Sequence, residues 1–237
     1  MNIEIRNLQK KFNDNEVLKD ISLKIEKNKS TIILGQSGCG KSVLIKIIYQ
    51  LLNYEKGTIL YEGKKNIDID KFSMLFQYGA LFDSLTLSEN IAFTDYMDNK
   101  INYSRKVKSL MADVGLDASN YHKYPSEVSG GMKKRAGLAR AMALDPDVLF
   151  LDEPSAGLDP INSHRLDNLI NELKDSLGMT FVVVTHELSS IFDIADNSIF
   201  LDGETKTLID HGSPSHLKTN SENEKVRSFL RRGAPIN

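Results

Sequence analysis

The residues best suited to chemistry lie in a glycine-rich segment, residues 35–42, which reads GQSGCGKS. It follows an apolar run and precedes a helical pattern, the context in which a G-x-x-x-x-G-K-[ST] pattern predicts a phosphate-binding loop rather than a plain turn. Glycines let backbone N–H groups turn inward around an anion, and the next helix points its positive end at the same place. Lys41 is predicted to contact the β- and γ-phosphates of a nucleoside triphosphate, and the Ser42 hydroxyl a magnesium ion. The predicted nucleotide contacts are Gly35, Gln36, Ser37, Gly38, Cys39, Gly40, Lys41, Ser42 and Val43.

Two carboxylates, Asp152 and Glu153, end the apolar run 148–151. A buried strand delivers its last residues to the carboxyl edge of the sheet, where ligands bind in open α/β folds. Asp152 is therefore predicted to hold Mg²⁺, and Glu153 to polarise an attacking water as a general base. The alternative is an acidic pair that merely solvates a turn. The phosphate loop upstream and Pro154, which restricts the next turn, favour the catalytic interpretation.

The composition excludes several classes of protein. The chain has 237 residues, 41% of them hydrophobic, which is enough for the core of one α/β domain. Its 30 basic residues nearly balance its 32 acidic ones, which argues against nucleic acid as a partner, and one cysteine cannot form a disulfide or a zinc cluster. The first five residues carry no basic or apolar leader, and no apolar run reaches the roughly 18 residues of a membrane span. We therefore expect a protein that is not secreted and that reaches a membrane only through a partner.

Strand-like and helical patterns alternate along the chain. Strands are predicted over residues 3–7, 17–25, 31–34, 58–62, 72–76, 148–151 and 181–184. Helices are predicted over residues 41–52 and 160–177, and residues 86–144 are predicted to be mostly helical, from a capping box of Thr86 and Glu89 onward. A last short helix, capped within residues 221–224, is expected to end at Leu230 before a loose tail over residues 231–237. This order predicts a mostly parallel sheet covered by helices, with a helical insertion between about residues 72 and 145.

A second glycine pair, in Ser129-Gly130-Gly131-Met132, opens another predicted helix. With the motifs above in order along the chain, this segment resembles the signature motif of the ATP-binding subunits of ABC transporters. The resemblance implies an α/β fold of the P-loop NTPase type with a mixed, mainly parallel sheet core, an N-terminal antiparallel β subdomain and an inserted α-helical subdomain. It also implies a nucleotide-binding domain over residues 1–220, with the helical subdomain at about 78–145, and a short C-terminal extension over residues 221–237.

The same resemblance implies further site residues. Phe12 is implied to stack on adenine, Gln77 to contact Mg²⁺ and couple to the membrane partner, and His186 to contact the γ-phosphate. Asp159 is implied to lie in the D-loop. The signature residues Ser129, Gly130, Gly131 and Met132 are implied to bind the ATP of a second copy, so the working form is a homodimer. Without the resemblance, other roles are open for four of these residues. Phe12 could pack in the core, His186 could be structural, and Asp159 and Ser129 could be helix caps.

The details of three segments resemble one branch of the family, the ATPases of Mla/Mce-type bacterial lipid transporters. These are Met132, where most members carry glutamine, residues 77–86 (QYGALFDSLT) and residues 152–161 (DEPSAGLDPI). The resemblance implies ATP hydrolysis that drives phospholipid trafficking between the bacterial membranes. It also implies a permease, a periplasmic lipid-binding protein of the MCE type, and a location on the cytoplasmic face of the inner membrane. An ATPase of another importer, such as one for amino acids, and a soluble ABC protein are the alternatives.

Three further features allow two interpretations each. The apolar residues after Gln77 suit a groove for a short permease helix or ordinary packing; they are Tyr78, Leu81, Phe82, Leu85, Ile91, Phe93 and Tyr96. Residues 133–135, Lys-Lys-Arg, suit a solvated helix face or a position near phosphate. Cys39 suits a small loop residue or, at a helix N-terminus, a thiol with a lowered pKa.

Overall fold

The computed structural model describes residues 1–77, 79–97 and 104–232, the last without its side chain. The strands in this part of the chain are β1 (Ile3–Phe12), β2 (Asn15–Ile25), β3 (Ser30–Gly35), β4 (Lys56–Tyr61), β5 (Phe72–Leu75), β6 (Val148–Asp152), β7 (Thr180–Val184), β8 (Asn197–Leu201) and β9 (Leu208–Gly212). The helices are α1 (Lys41–Ile48), α2 (Leu87–Ile91), α3 (Phe93–Met97), α4 (Ser104–Asp113), α5 (Gly130–Met142), α6 (Pro160–Leu177), α7 (Leu188–Ile194), α8 (Pro214–Asn220) and α9 (Glu224–Arg232).

The larger sheet has the strand order β5-β6-β7-β3-β8-β9. All neighbours in it are parallel except β9, which pairs antiparallel with β8 at the edge. Every residue of β3 and β7 is buried, as expected for central strands covered on both faces. The carboxyl ends of β3, β6 and β7 therefore meet at one edge, and the phosphate loop, Asp152 and His186 all follow there. The predicted α/β fold with a mainly parallel core is confirmed.

The smaller sheet is antiparallel, with the order β2-β1-β4, and forms the predicted N-terminal β subdomain. Its buried residues Ile3, Ile5 and Leu8 join α1 and the larger sheet in one hydrophobic cluster. The prediction for β1 was too short, since the strand continues to Phe12. A register shift between Ile5 and Leu8 breaks the alternation of buried and exposed residues, so the sequence pattern stopped at that bulge.

The insertion between β5 and β6 contains α2, α3, α4 and α5. The predicted capping box is confirmed: the Thr86 hydroxyl accepts from the Glu89 N–H at 3.3 Å, and the Glu89 carboxylate accepts from the Thr86 N–H at 2.7 Å. The prediction that residues 86–144 are mostly helical is only partly correct. Residues 114–129 form turns and the short 3₁₀ segments Ala118–Asn120 and Pro125–Glu127, each with its own cap or proline start.

One other helix prediction needs correction, and four elements were missed. The helix predicted over residues 41–52 ends at Ile48, because Gln50 adopts a left-handed backbone with φ 58°. The elements α7, β8, β9 and α8 were not predicted. The β8 strand starts with the polar pair Asn197-Ser198, and β9 ends in Asp210-His211-Gly212, so neither shows a clear two-residue alternation.

The C-terminal helix α9 packs on the main core. Val226, Phe229 and Leu230 are buried in the same hydrophobic cluster as the larger sheet. The Asn223 side chain accepts from the Lys225 N–H at 2.9 Å, so Asn223 caps the helix within the predicted segment. The helix ends at Arg232 rather than Leu230, and the rest of the predicted tail, residues 233–237, lies outside the described residues. The domain boundary at residue 221 stays a prediction.

Among the described residues, no helix is both long enough and apolar enough to span a membrane.

Candidate functional site

The loop between β3 and α1 has a backbone that requires glycine. Gly35, Gly38 and Gly40 adopt φ values of 148°, 77° and 107°. A Cβ atom on Gly35 would lie 2.3 Å from the Leu201 carbonyl oxygen, and one on Gly40 would lie 2.7 Å from Leu18 Cδ2. Larger residues are therefore excluded by both conformation and space. The result is a loop whose backbone curls tightly ahead of a helix N-terminus.

Lys41 is folded back into this loop. Its Nζ donates to the carbonyl oxygens of Gly35 at 2.7 Å and Gln36 at 3.0 Å, and the residue is only 8% exposed. The contacts hold an ammonium group inside the loop. A phosphate oxygen approaching the loop would meet this cation and the N-terminus of α1 together.

Asp152 and Glu153 lie where β6 ends. The Glu153 N–H donates to the Val184 carbonyl at 2.8 Å, and Glu153 adopts φ 47°, so its backbone turns sharply away from the sheet. Burial raises the pKa of both carboxyl groups, and in Asp152 the nearby charges of Lys134, Lys41 and His186 oppose that rise. Two carboxyl groups with raised pKa values at one sheet edge are typical of a reactive site.

His186 follows β7 and contacts Glu153 twice. Its Nε2 lies 3.3 Å from Glu153 Oε1, and its backbone N–H donates to Glu153 Oε2 at 3.3 Å. Burial and the charge of Lys41 lower the pKa of His186. The lowered pKa favours the neutral ring at pH 7, so the contact of Nε2 with Glu153 Oε1 is a polar contact rather than an ion pair.

Ser42 and Asp152 line a cleft of about 740 Å³ between α1 and the helical insertion. The predicted groove residues Ile91 and Phe93 line the same cleft. Phe82 stacks on Phe93 with ring centroids 4.6 Å apart, while Tyr78 lies outside the described residues. The structure thus joins two of the three predicted metal ligands, Ser42 and Asp152, and part of the predicted groove in a single cleft, whereas Gln77 does not line it.

The signature residues lie at a different place in the chain's fold. Ser129 caps α5, with its hydroxyl accepting from the Met132 N–H at 3.3 Å. Ser129, Gly131 and Met132 line a cavity of about 310 Å³ that shares no residue with the cleft of Ser42 and Asp152. Ser129 and Gly130 are exposed. The start of α5 therefore presents free backbone N–H groups outward.

The remaining predicted residues have simpler surroundings. Asp159 caps α6 by accepting from the N–H groups of Ile161 and Asn162, each at 3.1 Å. Phe12 ends β1 and is 44% exposed, with Lys10 Nζ 4.9 Å from its ring centroid. Core packing is thus excluded for Phe12. The interpretation of Asp159 as a helix cap is correct, and its role in the D-loop stays a prediction.

Two side chains near the site differ from their sequence interpretation. Cys39 is buried, and burial raises the pKa of its thiol, so the lowered pKa considered for it is wrong. Lys134 does not lie on a solvated helix face, because it is buried and its Nζ donates to the carbonyl oxygens of Gln77 and, at 3.2 Å, Glu153. The small residues Ala136, Gly137 and Ala139 close behind it were the available signal that this part of α5 is packed.

Comparison with known proteins agrees with this geometry. A family model described as "ABC transporter" matches residues 18–156. All of the chain aligns, at 37% identity, with 68% of the probable ribonucleotide transport ATP-binding protein mkl of Mycobacterium tuberculosis H37Rv. In Escherichia coli K12, the intermembrane phospholipid transport system ATP-binding protein MlaF is 38% identical over 90% of this chain and 82% of its own length.

The glutamine transport ATP-binding protein GlnQ of the same organism is 35% identical over 96% of this chain and 98% of its own length. Among solved structures, CbiO1 of Clostridium perfringens, part of the ABC transporter complex CbiONQ, superposes with a TM-score of 0.82 at 26% identity. That match covers 97% of this chain and 94% of CbiO1. The chain therefore belongs to the ABC transporter family, as an ATP-binding subunit that hydrolyses ATP to drive transport.

Proposed function

We propose that this ATPase drives phospholipid transport between the two membranes of a bacterium. It would work as a homodimer on the cytoplasmic face of the inner membrane, bound to a permease and, through it, to a periplasmic lipid-binding protein of the MCE type. The observation that carries the proposal is Met132 at the signature position, together with 38% identity to MlaF, an intermembrane phospholipid transport ATPase. The chemistry is proposed from the site, and the transported substrate from this likeness.

Glu153 is the proposed general base. Its carboxylate directly follows strand β6. The His186 backbone N–H donates to one of its oxygens, and the His186 ring lies 3.3 Å from the other. Burial raises the pKa of Glu153, which makes the carboxylate more basic than a solvated one and better able to take a proton from water. The backbone N–H of His186 orients this carboxylate, and the single N–H of the neutral ring would donate toward a γ-phosphate oxygen when nucleotide is bound.

Magnesium is the proposed metal, and the donor set suits it. Ser42 and Asp152 bring a hydroxyl and a carboxylate to one cleft, and Mg²⁺ prefers hard oxygen ligands. No group of three His, Cys, Asp or Glu side chains able to hold a metal occurs in the part of the chain that the structure describes. Ser42, Asp152 and Gln77 would therefore share the ion with the phosphates of the nucleotide. When bound, Mg²⁺ neutralises charge on the β- and γ-phosphate oxygens.

The dimer and the permease are proposed from two exposed surfaces. The start of α5 presents unpaired N–H groups outward, suited to the γ-phosphate of an ATP held by a second copy. The 740 Å³ cleft carries the exposed apolar side chains of Leu51, Phe76 and Leu144, suited to one short apolar helix of the permease.

One experiment tests the catalytic part. We expect Glu153→Gln to keep ATP affinity while turnover falls by about 10²–10⁴-fold, because the amide cannot accept the proton. Glu172→Gln, at an exposed position of α6, is the matched control. Lys41→Ala should weaken ATP binding itself in an equilibrium titration. Normal hydrolysis by Glu153→Gln would refute the proposed base.

The substrate is tested by purification from membranes. We expect the tagged chain to bring down a permease and a lipid-binding periplasmic protein, and Phe76→Asp to lose both while Leu177→Asp, at an exposed apolar residue of α6, keeps them. The alternative is an amino-acid importer, which the likeness to nearly the whole of GlnQ favours. A co-purified amino-acid-binding protein in place of the lipid-binding one would decide for that alternative.

A further inference from the structure

One face of α5 contacts the chain segment that follows β5, through Gln77, Gly79 and Ala80. Arg140 Nη1 donates to the Ala80 carbonyl at 2.7 Å, and its Nη2 to the Gly79 carbonyl at 3.1 Å. One turn earlier, a Cβ on Gly137 would lie 3.0 Å from the Gly79 carbonyl oxygen, so the helix backbone touches the segment directly. Another turn earlier, Lys134 donates to the Gln77 carbonyl. Positions 134, 137 and 140 share one helix face, so α5 holds this segment along two turns.

Lys134 differs from the other two because it also contacts the catalytic strand. Its Nζ lies 3.2 Å from the Glu153 carbonyl oxygen, and the residue is 6% exposed. The Glu153 backbone is thus held between the Val184 carbonyl, which accepts from its N–H, and Lys134, which donates to its carbonyl. A buried ammonium is costly unless its protons are bonded, so both carbonyls are needed to keep it there.

We infer that Lys134 is a positioning residue. Its ammonium ties the Gln77 segment of the helical insertion to the Glu153 backbone. The catalytic carboxylate is therefore aligned only when the insertion packs against the Glu153 turn through this lysine. The inference rests on the roles proposed for Gln77 and Glu153 and does not depend on which substrate is transported. Arg140 and Phe76 line the cleft proposed for the permease. A partner in that cleft therefore contacts the same segment that Lys134 connects to the reaction site.

The inference predicts a particular kinetic change. Without the ammonium, the Gln77 and Glu153 carbonyls lose their shared donor, and the Glu153 carbonyl keeps only the local Ala156 N–H at 3.2 Å. Misplacement of a catalytic group by about 1 Å costs up to about 10²-fold in rate. We expect Lys134→Met to lower kcat by about 10–100-fold with KM for ATP changed less than about threefold, because the phosphate loop is untouched.

A conservative substitution separates positioning from simple packing. Methionine fills a similar volume but donates no hydrogen bond, so Lys134→Met removes the link between the Gln77 and Glu153 carbonyls. Lys134→Arg keeps the charge and can donate to two acceptors, so it should restore kcat.

The test is steady-state hydrolysis of Mg-ATP by the full chain, with the membrane partner present if it co-purifies. Lys106→Met, an exposed lysine of α4, is the control and should match the wild type. The inference is overturned if Lys134→Met keeps its kcat within about twofold, or if Lys134→Arg loses as much as Lys134→Met. If Lys134→Met does not fold, Lys134→Gln replaces it, and equal kcat values for Gln and Arg variants overturn the inference. Normal hydrolysis by Glu153→Gln would refute the proposed general base. An inactive Glu153→Gln variant together with a Lys134→Met variant of normal activity would refute only the inference about Lys134.

Discussion

Replacing Asp167 by asparagine should change how the stability of the protein depends on pH. Asp167 lies on α6, is 1% exposed, and accepts a hydrogen bond from the Ser190 hydroxyl at 2.7 Å. The Ser190 hydroxyl in turn lies 3.2 Å from the hydroxyl of Ser155, which closely follows Glu153. The other carboxylate oxygen, Asp167 Oδ1, has no hydrogen-bond partner among the described residues. A buried carboxylate that is only half satisfied should hold its proton more tightly than a solvated one.

The size of this pH effect on stability follows from the pKa of Asp167. Burial, together with the nearby charges of Asp193 and Glu187, raises the pKa of Asp167 from 3.8 to about 6. The native state therefore binds more protons than the unfolded state between these two values, and stability falls as pH rises through this window. The loss of stability is about 2 kcal/mol at about pH 5 and about 3 kcal/mol at about pH 8, at 1.36 kcal/mol per pKa unit.

Asparagine carries no charge and does not titrate, so the Asp167→Asn variant lacks this loss. Its amide group leaves one polar atom unpaired, which costs about 1–3 kcal/mol at every pH and cancels when two pH values are compared. We therefore expect the stability of the variant, relative to wild type, to be about 1 kcal/mol more favourable at about pH 8 than at about pH 5.

Urea denaturation followed by circular dichroism at both pH values measures this difference directly. Asp175→Asn, at an exposed position of the same helix, is the control and should show no such change. An Asp167→Asn variant whose relative stability is the same at both pH values would show that the native carboxyl titrates normally, and the argument from burial would be wrong.

Three further predictions concern stability and reactivity. The Cys39 thiol should react with a disulfide reagent only after unfolding, since burial both blocks access and raises its pKa; rapid reaction of the native protein would contradict this. Thr86→Ala should cost about 1 kcal/mol in urea denaturation by removing the confirmed capping box, and an unchanged midpoint would mean that this cap is not stabilising. Phe229→Ala should lower the free energy of unfolding by about 3–5 kcal/mol, because the ring is buried and packs edge-on against Phe200 with ring centroids 5.7 Å apart. Glu222→Ala, at an exposed position, is its control, and equal effects of the two substitutions would show that α9 is not part of the core.

Much of the fold could be predicted because the residues that determine each of these elements are neighbours in the sequence. The short, mainly apolar runs of β3 and β7 predict buried strands wherever they lie in the chain, and the capping box before α2 involves residues three apart. Predictions were wrong where a local pattern competed with a distant partner. The alternation of β1 stops at a bulge but pairing with β2 carries the strand on to Phe12, and β9 forms only because β8 offers an edge to pair with.

The site divides in the same way. The sequence alone determined that a phosphate loop and a pair of carboxylates each follow a buried strand, because motif spacing and strand ends are properties of neighbouring residues. Only the tertiary structure decided that His186 contacts both oxygens of Glu153, that Cys39 is enclosed, and that Lys134 is buried between Gln77 and Glu153. Burial and the resulting pKa changes depend on which distant elements pack together, and a lysine in a basic run carries no local sign of which carbonyl oxygens will surround it.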